Sequence, residues 1–155
     1  MSRHFIIDGY NALHSTRRWE DLSREAQRER FLRYLEESRP TGSERNTVTV
    51  VFDGYAAALK GIRLALVQLV FSCDRDADTV IKERVSELAN PRDAVVVTND
   101  RGIHAAVRGA GAQVMSCEEF FLLGNKKAAP RQRDTLDPQS AESINQELKR
   151  RWKLD

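Results

Sequence analysis

The sequence is poor in the features that mark several common classes of protein. Its two cysteines, Cys73 and Cys117, lack the C-x-x-C spacing of metal or redox sites, and neither glycine-rich phosphate-binding motif is present. No apolar run approaches the roughly 20 residues of a transmembrane helix, and no signal-like segment precedes the first apolar run. We therefore expect a cytoplasmic protein with reduced thiols and no membrane partner.

An excess of charge of one sign is also missing, because the 155 residues contain 25 Lys and Arg against 23 Asp and Glu. Hydrophobic residues make up 41% of the chain, which fits one globular domain with a substantial core. The net charge of +2 conceals a basic stretch, since residues 125–155 hold eight basic and five acidic side chains. Such a stretch indicates a polyanionic partner only weakly, because basic tails also promote solubility.

Five short apolar runs rich in Val, Ile and Phe alternate with segments of helical periodicity. Most of the runs lack the strict alternation of half-buried strands, which is typical of parallel strands covered on both faces. Strand–helix–strand alternation predicts an α/β sandwich with a mainly parallel five-stranded sheet. The predicted strands are 4–8, 47–53, 64–72, 94–100 and 112–116, and the predicted helices are 21–38, 77–89 and 102–109.

Two stretches do not fit this alternation. Residues 54–63 leave room for only a short helix between two strands. Residues 125–155 begin with a polar, proline-containing linker, and 141–155 has the pattern of a terminal amphipathic helix. We therefore expect one domain over 1–124 and a basic polar tail after it.

Acidic residues end three of the predicted strands, at Asp8, Asp53 and Asp100. Because the carboxyl ends of parallel strands share one rim, these side chains are expected to lie near one another. A further acidic segment, "DRDADT" at 74–79, begins the helix after the third strand. Each acid alone has a structural explanation, since Asp is common after strands and stabilises helix N-termini.

Asp78 fits that explanation less well than Asp76, which stands where an N-cap residue is expected. Asp78, Ile81 and Val85 share one face of the helix, the face that should pack on the sheet. A carboxylate on that face is costly unless it is paired or bound to a metal. We therefore predict that Asp78 joins the acids at the strand ends.

Several carboxylates on one rim repel one another and need a cation, and hard oxygen ligands favour Mg²⁺ or Mn²⁺. Such ions activate water and stabilise the leaving oxygen in phosphodiester hydrolysis. Asn11 is placed to orient a carboxylate or a phosphate, and turn formation or helix capping is an equal alternative. His14 and His104 are candidate general acids or bases, although a lone histidine is more often packed or solvated.

Four segments complete the evidence: "IIDGYNALH", "VVFDGY", "DADTVIKERV" and "VVVTNDRGIHAAVRGAGAQVMS". In this order and spacing they resemble the YacP-like NYN domains of the PIN-like nuclease superfamily, over roughly residues 3–124. The resemblance implies a PIN-like three-layer α/β/α sandwich. It also implies a divalent-metal-dependent endoribonuclease that hydrolyses single-stranded RNA, as in the processing or decay of mRNA or other RNA.

By the same resemblance, the catalytic acids fall on Asp8, Asp78 and Asp100, which also bind the metal, and the accompanying amide falls on Asn11. Asp53 matches an acid that commonly ends the second strand, where it is either a metal ligand or a supporting residue. The resemblance thus implies a role for each of the four acids, Asp8, Asp53, Asp78 and Asp100.

The sequence departs from the family pattern after Asp100, where many relatives carry a further acid and this chain has Arg101. The number of metal ions and the catalytic strength therefore stay open. Arg101 is instead a candidate contact for the scissile phosphate, with a solvated side chain as the alternative. The other candidate RNA contacts are the cations Lys82 and Arg75 and the aromatic rings of Tyr10 and Tyr55, which can stack on bases or cover the core.

Two other functions fit the same residues. The missing acid motivates a non-catalytic or weakly active adaptor that binds RNA, the ribosome or another ribonucleoprotein. A toxin-type PIN ribonuclease is a third alternative. The sequence leaves the oligomeric state open.

Overall fold

The structure, a computed structural model, describes residues 2–42, 45–55 and 64–128, with side chains as far as 124. Within these ranges the chain forms five strands and five α-helices, and a short 3₁₀ turn at Pro91–Asp93 precedes the fourth strand. The elements are β1 (His4–Asp8), α1 (Gly9–Ser15), α2 (Arg24–Ser38), β2 (Thr47–Phe52), β3 (Val67–Phe71), α3 (Ala77–Glu87), β4 (Ala94–Val97), α4 (Arg101–Gly109), β5 (Gln113–Met115) and α5 (Cys117–Ala128).

The strands form one sheet in the order β3-β2-β1-β4-β5, and every pair of neighbours is parallel. The register places Ile7 of β1 between Val50 of β2 and Val97 of β4. All three side chains are fully buried, as expected for strands covered on both faces. The predicted fold class is therefore confirmed.

Helices cover both faces of this sheet. Phe5 and Ile7 of β1 pack into a cluster with apolar side chains of α1, α2 and α5. Ile6, between them, points to the other face and packs with residues of α3 and α4. Since successive side chains of a strand point to opposite faces, one strand serves two cores. The result is the three-layer α/β/α sandwich.

Two helices were missed by the sequence interpretation. The seven residues of α1 follow β1 without a break, and no helix was predicted between the first strand and residue 21. The helix α5 runs from Cys117 through Gly124 to Ala128, so it crosses the expected domain boundary at 124. Phe120 and Phe121 of this helix are buried. The apolar contacts of that face hold the helix past a glycine that ordinarily marks a helix end.

Other expectations differ in their bounds or lie outside the described residues. The fourth strand ends at Val97, so residues 98–100 form a loop at the rim and are not part of the strand. The expected short helix of 54–63 and the terminal helix of 141–155 fall largely or wholly outside the described ranges. No helix within those ranges is long and apolar enough to cross a membrane.

The sheet topology indicates where a ligand is expected along the rim formed by the carboxyl ends of the strands. From β1 the chain moves outward to β2 and β3, and it then returns to the other side of β1 to form β4 and β5. Ligands of open parallel sheets bind at the carboxyl ends of the strands where this direction reverses. Asp8, the last residue of β1, lies at that point.

Candidate active site

Four acids occupy the rim, one from each element that surrounds the reversal point. Asp8 ends β1 and Asp53 directly follows β2. Asp78 lies in the first turn of α3, and Asp100 is the N-cap residue of α4. The charges of Asp78 and Asp53 raise the pKa of Asp8, and the charges of Asp100 and Asp53 raise the pKa of Asp78. The fold therefore brings the four acids close enough to repel one another.

Asp8 is half-buried, and its pKa is raised to about 6, chiefly because burial disfavours the carboxylate. The negative charges of Asp78 and Asp53 raise the pKa further. Opposing them, the Thr98 hydroxyl donates a hydrogen bond of 3.2 Å to Oδ2 of Asp8. The backbone N–H of Asn11 also lowers the pKa, although it forms no capping hydrogen bond.

Asp78 has a raised pKa as well, first from burial and then from the charges of Asp100 and Asp76. Its side chain is half-buried and stands beside Ala77, Val80 and Ile81 of the buried face. Within the described residues its carboxylate accepts no hydrogen bond, and among the causes of its shift only the charge of Lys82 lowers its pKa. The carboxylate is therefore electrostatically unfavourable without a cation.

Asp76 behaves as its position predicted. Its Oδ1 accepts hydrogen bonds of 2.7 Å from both the backbone N–H and the hydroxyl of Thr79. These bonds lower the pKa of Asp76, which is the opposite of the shift at Asp78 two residues later. Asp76 is the helix cap, and Asp78 is left for another role.

Asp53 and Asp100 each use one oxygen to hold the rim together. Oδ1 of Asp53 accepts from the backbone N–H of Ala77 at 2.8 Å and from the Ser72 hydroxyl at 3.2 Å. Oδ1 of Asp100 accepts from the N–H groups of Gly102 and Ile103 at 2.8 and 3.2 Å. Both acids thus fix a helix start and keep Oδ2 for a further ligand.

Thr98 links two of the acids and was missed by the sequence interpretation. Its hydroxyl donates to Asp8 and accepts the backbone N–H of Asp100 at 3.1 Å. The side chain is fully buried, so both bonds are shielded from water. A buried threonine at the end of a strand carries little signal in the sequence, because Thr is common in strands for packing reasons alone.

Asn11 does not contact Asp8 through its amide, as one of our alternatives required. Its Oδ1 instead accepts the backbone N–H of Asn99 at 2.7 Å and the Cys117 thiol at 3.3 Å. Asn99 in turn accepts the Cys117 backbone N–H and donates to Glu118 at 3.0 Å. Asn11 therefore positions the loop that carries Asp100, from a site 88 residues away in the chain.

Cys117 and Glu118 are further residues that sequence reasoning did not select. Burial raises the pKa of the Cys117 thiol to about 12, and the charge of Glu118 adds to the shift. The thiol is therefore protonated and inert at neutral pH. Glu118, in the first turn of α5, is an exposed acid just after β5. An acid after a strand end is the same signal that identified Asp8, and it could have been used here.

The predicted cationic RNA contacts have different surroundings. Arg75 forms an ion pair with Glu83 of α3, and both side chains are 48% exposed. Lys82 is exposed, and its charge acts on Asp76 and Asp78. Arg101 is an exposed first residue of α4, directly after Asp100. Lys82 and Arg101 therefore remain oriented toward solvent beside the acids, whereas Arg75 is engaged by a carboxylate.

Tyr10 and Tyr55 lie in different surroundings, one packed on the core and the other exposed. The Tyr10 ring packs on Phe52 with a centroid distance of 4.9 Å, and the Arg24 guanidinium lies over it at 5.1 Å. Tyr10 is thus a cover of the core. Tyr55 is 65% exposed just beyond Asp53, so its ring is accessible to a base.

His104 is held by the rim loop. Its Nε2 lies 2.6 Å from the carbonyl oxygen of Thr98 and donates to it when that nitrogen carries the hydrogen. His104 is therefore an anchor for the loop before Asp100, the packed alternative of the sequence interpretation.

The acids of the rim do not form a complete set of direct metal ligands. Among the described residues, no group of three or more His, Cys, Asp or Glu side chains is placed so that it could hold a metal ion. Mg²⁺, however, keeps several waters and commonly uses one or two carboxylates. The unsatisfied carboxylate of Asp78 and the raised pKa of Asp8 fit such a hydrated ion, which would relieve their repulsion.

Comparison with known proteins identifies relatives. The family model of the YacP-like NYN domain matches residues 5–154, including the tail that we expected to lie outside the resemblance. Two solved structures of Rae1 (YacP) from Bacillus subtilis are similar. A tryptophan-to-leucine mutant has a TM-score of 0.69 and 22% identity, covering 94% of this chain and 89% of its own. The other has 0.64 and 23%, covering 96% and 79%.

At these identities the structural likeness establishes the fold alone. No curated protein matches the chain. The family assignment therefore rests on the family model, which spans nearly the whole sequence.

Proposed function

Because this chain belongs to the YacP-like NYN domain family, a nuclease-type family, we propose that it is a divalent-metal-dependent endoribonuclease acting on single-stranded RNA. Its proposed place of action is the cytoplasm, in the processing or decay of mRNA or other RNA. The site supports hydrolysis of a phosphodiester bond, since carboxylates at a sheet rim suit a cation that binds phosphate oxygens.

The observation that carries the proposal is the raised pKa of both Asp8 and Asp78. Burial and the charges of neighbouring acids make both carboxylates unfavourable in the protein alone, and the charge of Asp78 acts on Asp8. Strongly perturbed acids in such a place are more often functional than structural. A cation bound by the two acids would offset their negative charges, and this relief would favour binding of the cation.

In the proposed mechanism Asp8, Asp78 and Asp100 would hold a hydrated cation, in part through its waters. When bound, Mg²⁺ or Mn²⁺ supplies activation of water and stabilisation of the leaving oxygen. Thr98 fixes the orientation of the Asp8 carboxylate, and Asn11 fixes the loop of Asp100. Neither of these two residues needs to touch the substrate.

The remaining residues act at the edge of the site. Asp53 joins the ends of β2 and β3 to the start of α3 and so positions Asp78. Arg101 and Lys82, both exposed, are placed to contact phosphates of the substrate. The Tyr55 ring offers a stacking surface for a base.

One observation favours a second candidate function. The described residues contain no group of three or more candidate ligands that could hold a metal ion, and one oxygen of Asp53 and one of Asp100 are used in structural hydrogen bonds. A weakly active or non-catalytic protein that binds RNA or a ribonucleoprotein would need no better metal site. The two candidates differ in whether cleavage accompanies binding.

The test is cleavage of labelled single-stranded RNA by the purified chain in Mg²⁺, in Mn²⁺ and in chelator. We expect cleavage in either metal, none in chelator, and strong losses in Asp8→Asn and Asp100→Asn. Asp74→Asn is the matched control, because it removes an exposed charge beside the rim. Cleavage in chelator, or in both variants, contradicts the mechanism, and RNA binding without cleavage by the wild type favours the adaptor.

A further inference from the structure

Two arginines of α2 converge on the phenol ring of Tyr10, beside the acidic rim. The Arg28 guanidinium donates from NH1 to the Tyr10 hydroxyl oxygen at 2.7 Å. The Arg24 guanidinium lies over the face of the same ring, 5.1 Å from its centroid. Two positive charges therefore meet at one neutral side chain.

Arg28 is unusual because it is buried and, among the described residues, pairs with no carboxylate. Only 7% of the residue is exposed, and its Nε has no hydrogen-bond partner in that part of the chain. Its guanidinium donates there to the Tyr10 hydroxyl alone. A buried guanidinium without an anion is costly, so the local potential favours an anionic ligand at the adjoining surface.

The Tyr10 hydroxyl is ready to bind such a ligand. Its oxygen accepts from Arg28, which leaves the hydroxyl hydrogen free to donate. Within the described residues this hydrogen has no acceptor. Arg24 is exposed in the first turn of α2, and among the described residues it contacts the Tyr10 ring. One exposed charged donor thus lies over the ring of a half-buried side chain that carries a neutral donor.

This cluster is continuous with the candidate active site. Tyr10 follows Asp8 by two residues, and its ring packs on Phe52, the residue before Asp53. Gly9 permits this approach, since a Cβ at that position would lie 2.4 Å from the Phe52 ring. The exposed ring of Tyr55 lies two residues beyond Asp53 on the same rim. The cluster therefore borders the end of β2, where Asp53 lies.

We propose that Arg24 and the Tyr10 hydroxyl form a binding site for a backbone phosphate of single-stranded RNA, away from the scissile phosphate. Arg28 acts from beneath as a positioning residue that orients the hydroxyl and supplies positive potential. The inference rests on the proposed function, because it specifies how the same substrate is held. It gives Tyr10 a role through its hydroxyl, whereas its ring is occupied by Phe52 and Arg24.

The experiment measures binding of a short labelled single-stranded RNA to the full chain in chelator, over a range of salt concentrations. Arg24→Gln is expected to weaken binding roughly tenfold, as for loss of a charged hydrogen bond. It is also expected to reduce the slope of log K against log salt by about 0.7, as for loss of one phosphate contact on a single strand. Tyr10→Phe keeps the ring and is expected to weaken binding less, with the slope unchanged.

Arg33→Gln is the matched control, because Arg33 is an exposed arginine of the same helix, on a different face from Arg24. A second arm uses RNAs that each carry one neutral methylphosphonate linkage. At one linkage, neutralisation should weaken wild-type binding but leave Arg24→Gln unaffected, since the two changes remove the same contact. Equal effects of Arg24→Gln and Arg33→Gln, or no RNA binding by the wild type, overturn the proposal.

Cleavage assays separate this proposal from the proposed function. If both are correct, Arg24→Gln raises KM and leaves kcat close to the wild-type value in Mn²⁺. If the wild type binds RNA as expected but cuts nothing in Mn²⁺, the nuclease proposal fails and the phosphate site stands. If cleavage is normal but Arg24→Gln binds like the wild type, the phosphate site fails alone.

Discussion

The four acids of the rim form two pairs that differ in what satisfies their carboxylates. Asp53 and Asp100 accept backbone N–H groups at the starts of α3 and α4, with distances of 2.8 Å for the shortest bonds. Asp8 and Asp78 accept no such capping bond, and the pKa of each is raised. The carboxylates of Asp53 and Asp100 hold the starts of two helices at the rim. The carboxylates of Asp8 and Asp78 have raised pKa values, so their negative charge is disfavoured in the folded protein.

This difference separates two meanings of an acid at a strand end. An acid that caps a helix is stabilised by the fold, and an amide can replace it with little loss of stability, whatever its second oxygen binds. An acid that remains unfavourable in the folded protein needs a function to explain it. Substitution by Asn removes the charge and keeps an acceptor oxygen. The effects of this substitution on cleavage and stability can therefore be compared between the two pairs.

The largest expected effect is on cleavage by Asp8→Asn and Asp78→Asn. Each removes a charge that faces the cation, so we expect a loss of about 10³-fold, typical for loss of one preorganised electrostatic group. Asp53→Asn, which keeps the acceptor for Ala77, should lose less than about tenfold under the same reasoning. Single-turnover cleavage rates of the three variants provide the measurement. Equal losses in all three would contradict the division into pairs.

A smaller effect is expected from the residue that joins the pairs. Thr98→Val preserves the shape of a fully buried side chain but removes the hydroxyl shared by Asp8 and Asp100. We expect cleavage to fall about tenfold and the free energy of unfolding to fall by about 1–2 kcal/mol, the usual cost of a lost buried hydrogen bond. Thr98→Ser, with the hydroxyl retained, should recover most of the activity, and chemical denaturation gives the stability. A Thr98→Val variant as active as Thr98→Ser would show that the Thr98 hydroxyl is not needed to position the two acids for cleavage.

The pH dependence of stability should distinguish Asp8 in the absence of metal. Its pKa rises from 3.8 to about 6 on folding, so the folded state holds the proton more tightly. Asp8 therefore favours folding below about pH 4, and this contribution is lost as the pH rises to about 6. The loss is on the order of 2–3 kcal/mol, at 1.36 kcal/mol for each pKa unit.

Asp8→Asn removes this dependence. Urea unfolding in chelator should show the variant gaining stability over the wild type between pH 4 and pH 7 by an amount of that order. A stability difference that does not vary with pH would show that Asp8 titrates normally in the folded protein.

The smallest expected effect concerns the capping pair. Asp100→Ala loses the bonds to Gly102 and Ile103, so the free energy of unfolding should fall by about 1 kcal/mol. Asp100→Asn should stay within a few tenths of the wild type, because Asn is an equally good N-cap residue. Thermal unfolding of the two variants compares them directly. Equal destabilisation by both would mean that charge, and not capping, stabilises this end of α4.

The sheet was predictable from the sequence because its strands are covered on both faces. Phe5, Ile7 and Val95 are fully buried, and such strands appear as near-continuous apolar runs. The helix α1 was not predictable in the same way. It has seven residues, starts with glycine and lacks a side-chain cap, so its stability comes from packing against α2, α5 and the sheet.

The acids were predictable, whereas the bonds that hold them were not. Strand ends and helix periodicity selected Asp8 and Asp78, since both signals are local. The contacts of Asn11 with Asn99, and of Thr98 with Asp8, join residues 88 and 90 positions apart. Such pairs are fixed by the sheet order, which no local pattern in one sequence encodes.

The most direct test of the central claim is the affinity for Mn²⁺, measured by titration calorimetry in the absence of RNA. The proteins compared are the wild type, Asp8→Asn, Asp78→Asn and Asp53→Asn. The account predicts that the wild type and Asp53→Asn bind Mn²⁺, whereas Asp8→Asn and Asp78→Asn bind it at least tenfold more weakly, a loss of about 1.4 kcal/mol or more. Equal Mn²⁺ affinity in all four proteins, or stronger dependence on Asp53 than on Asp8, would contradict the claim that Asp8 and Asp78 are the principal ligands of the cation.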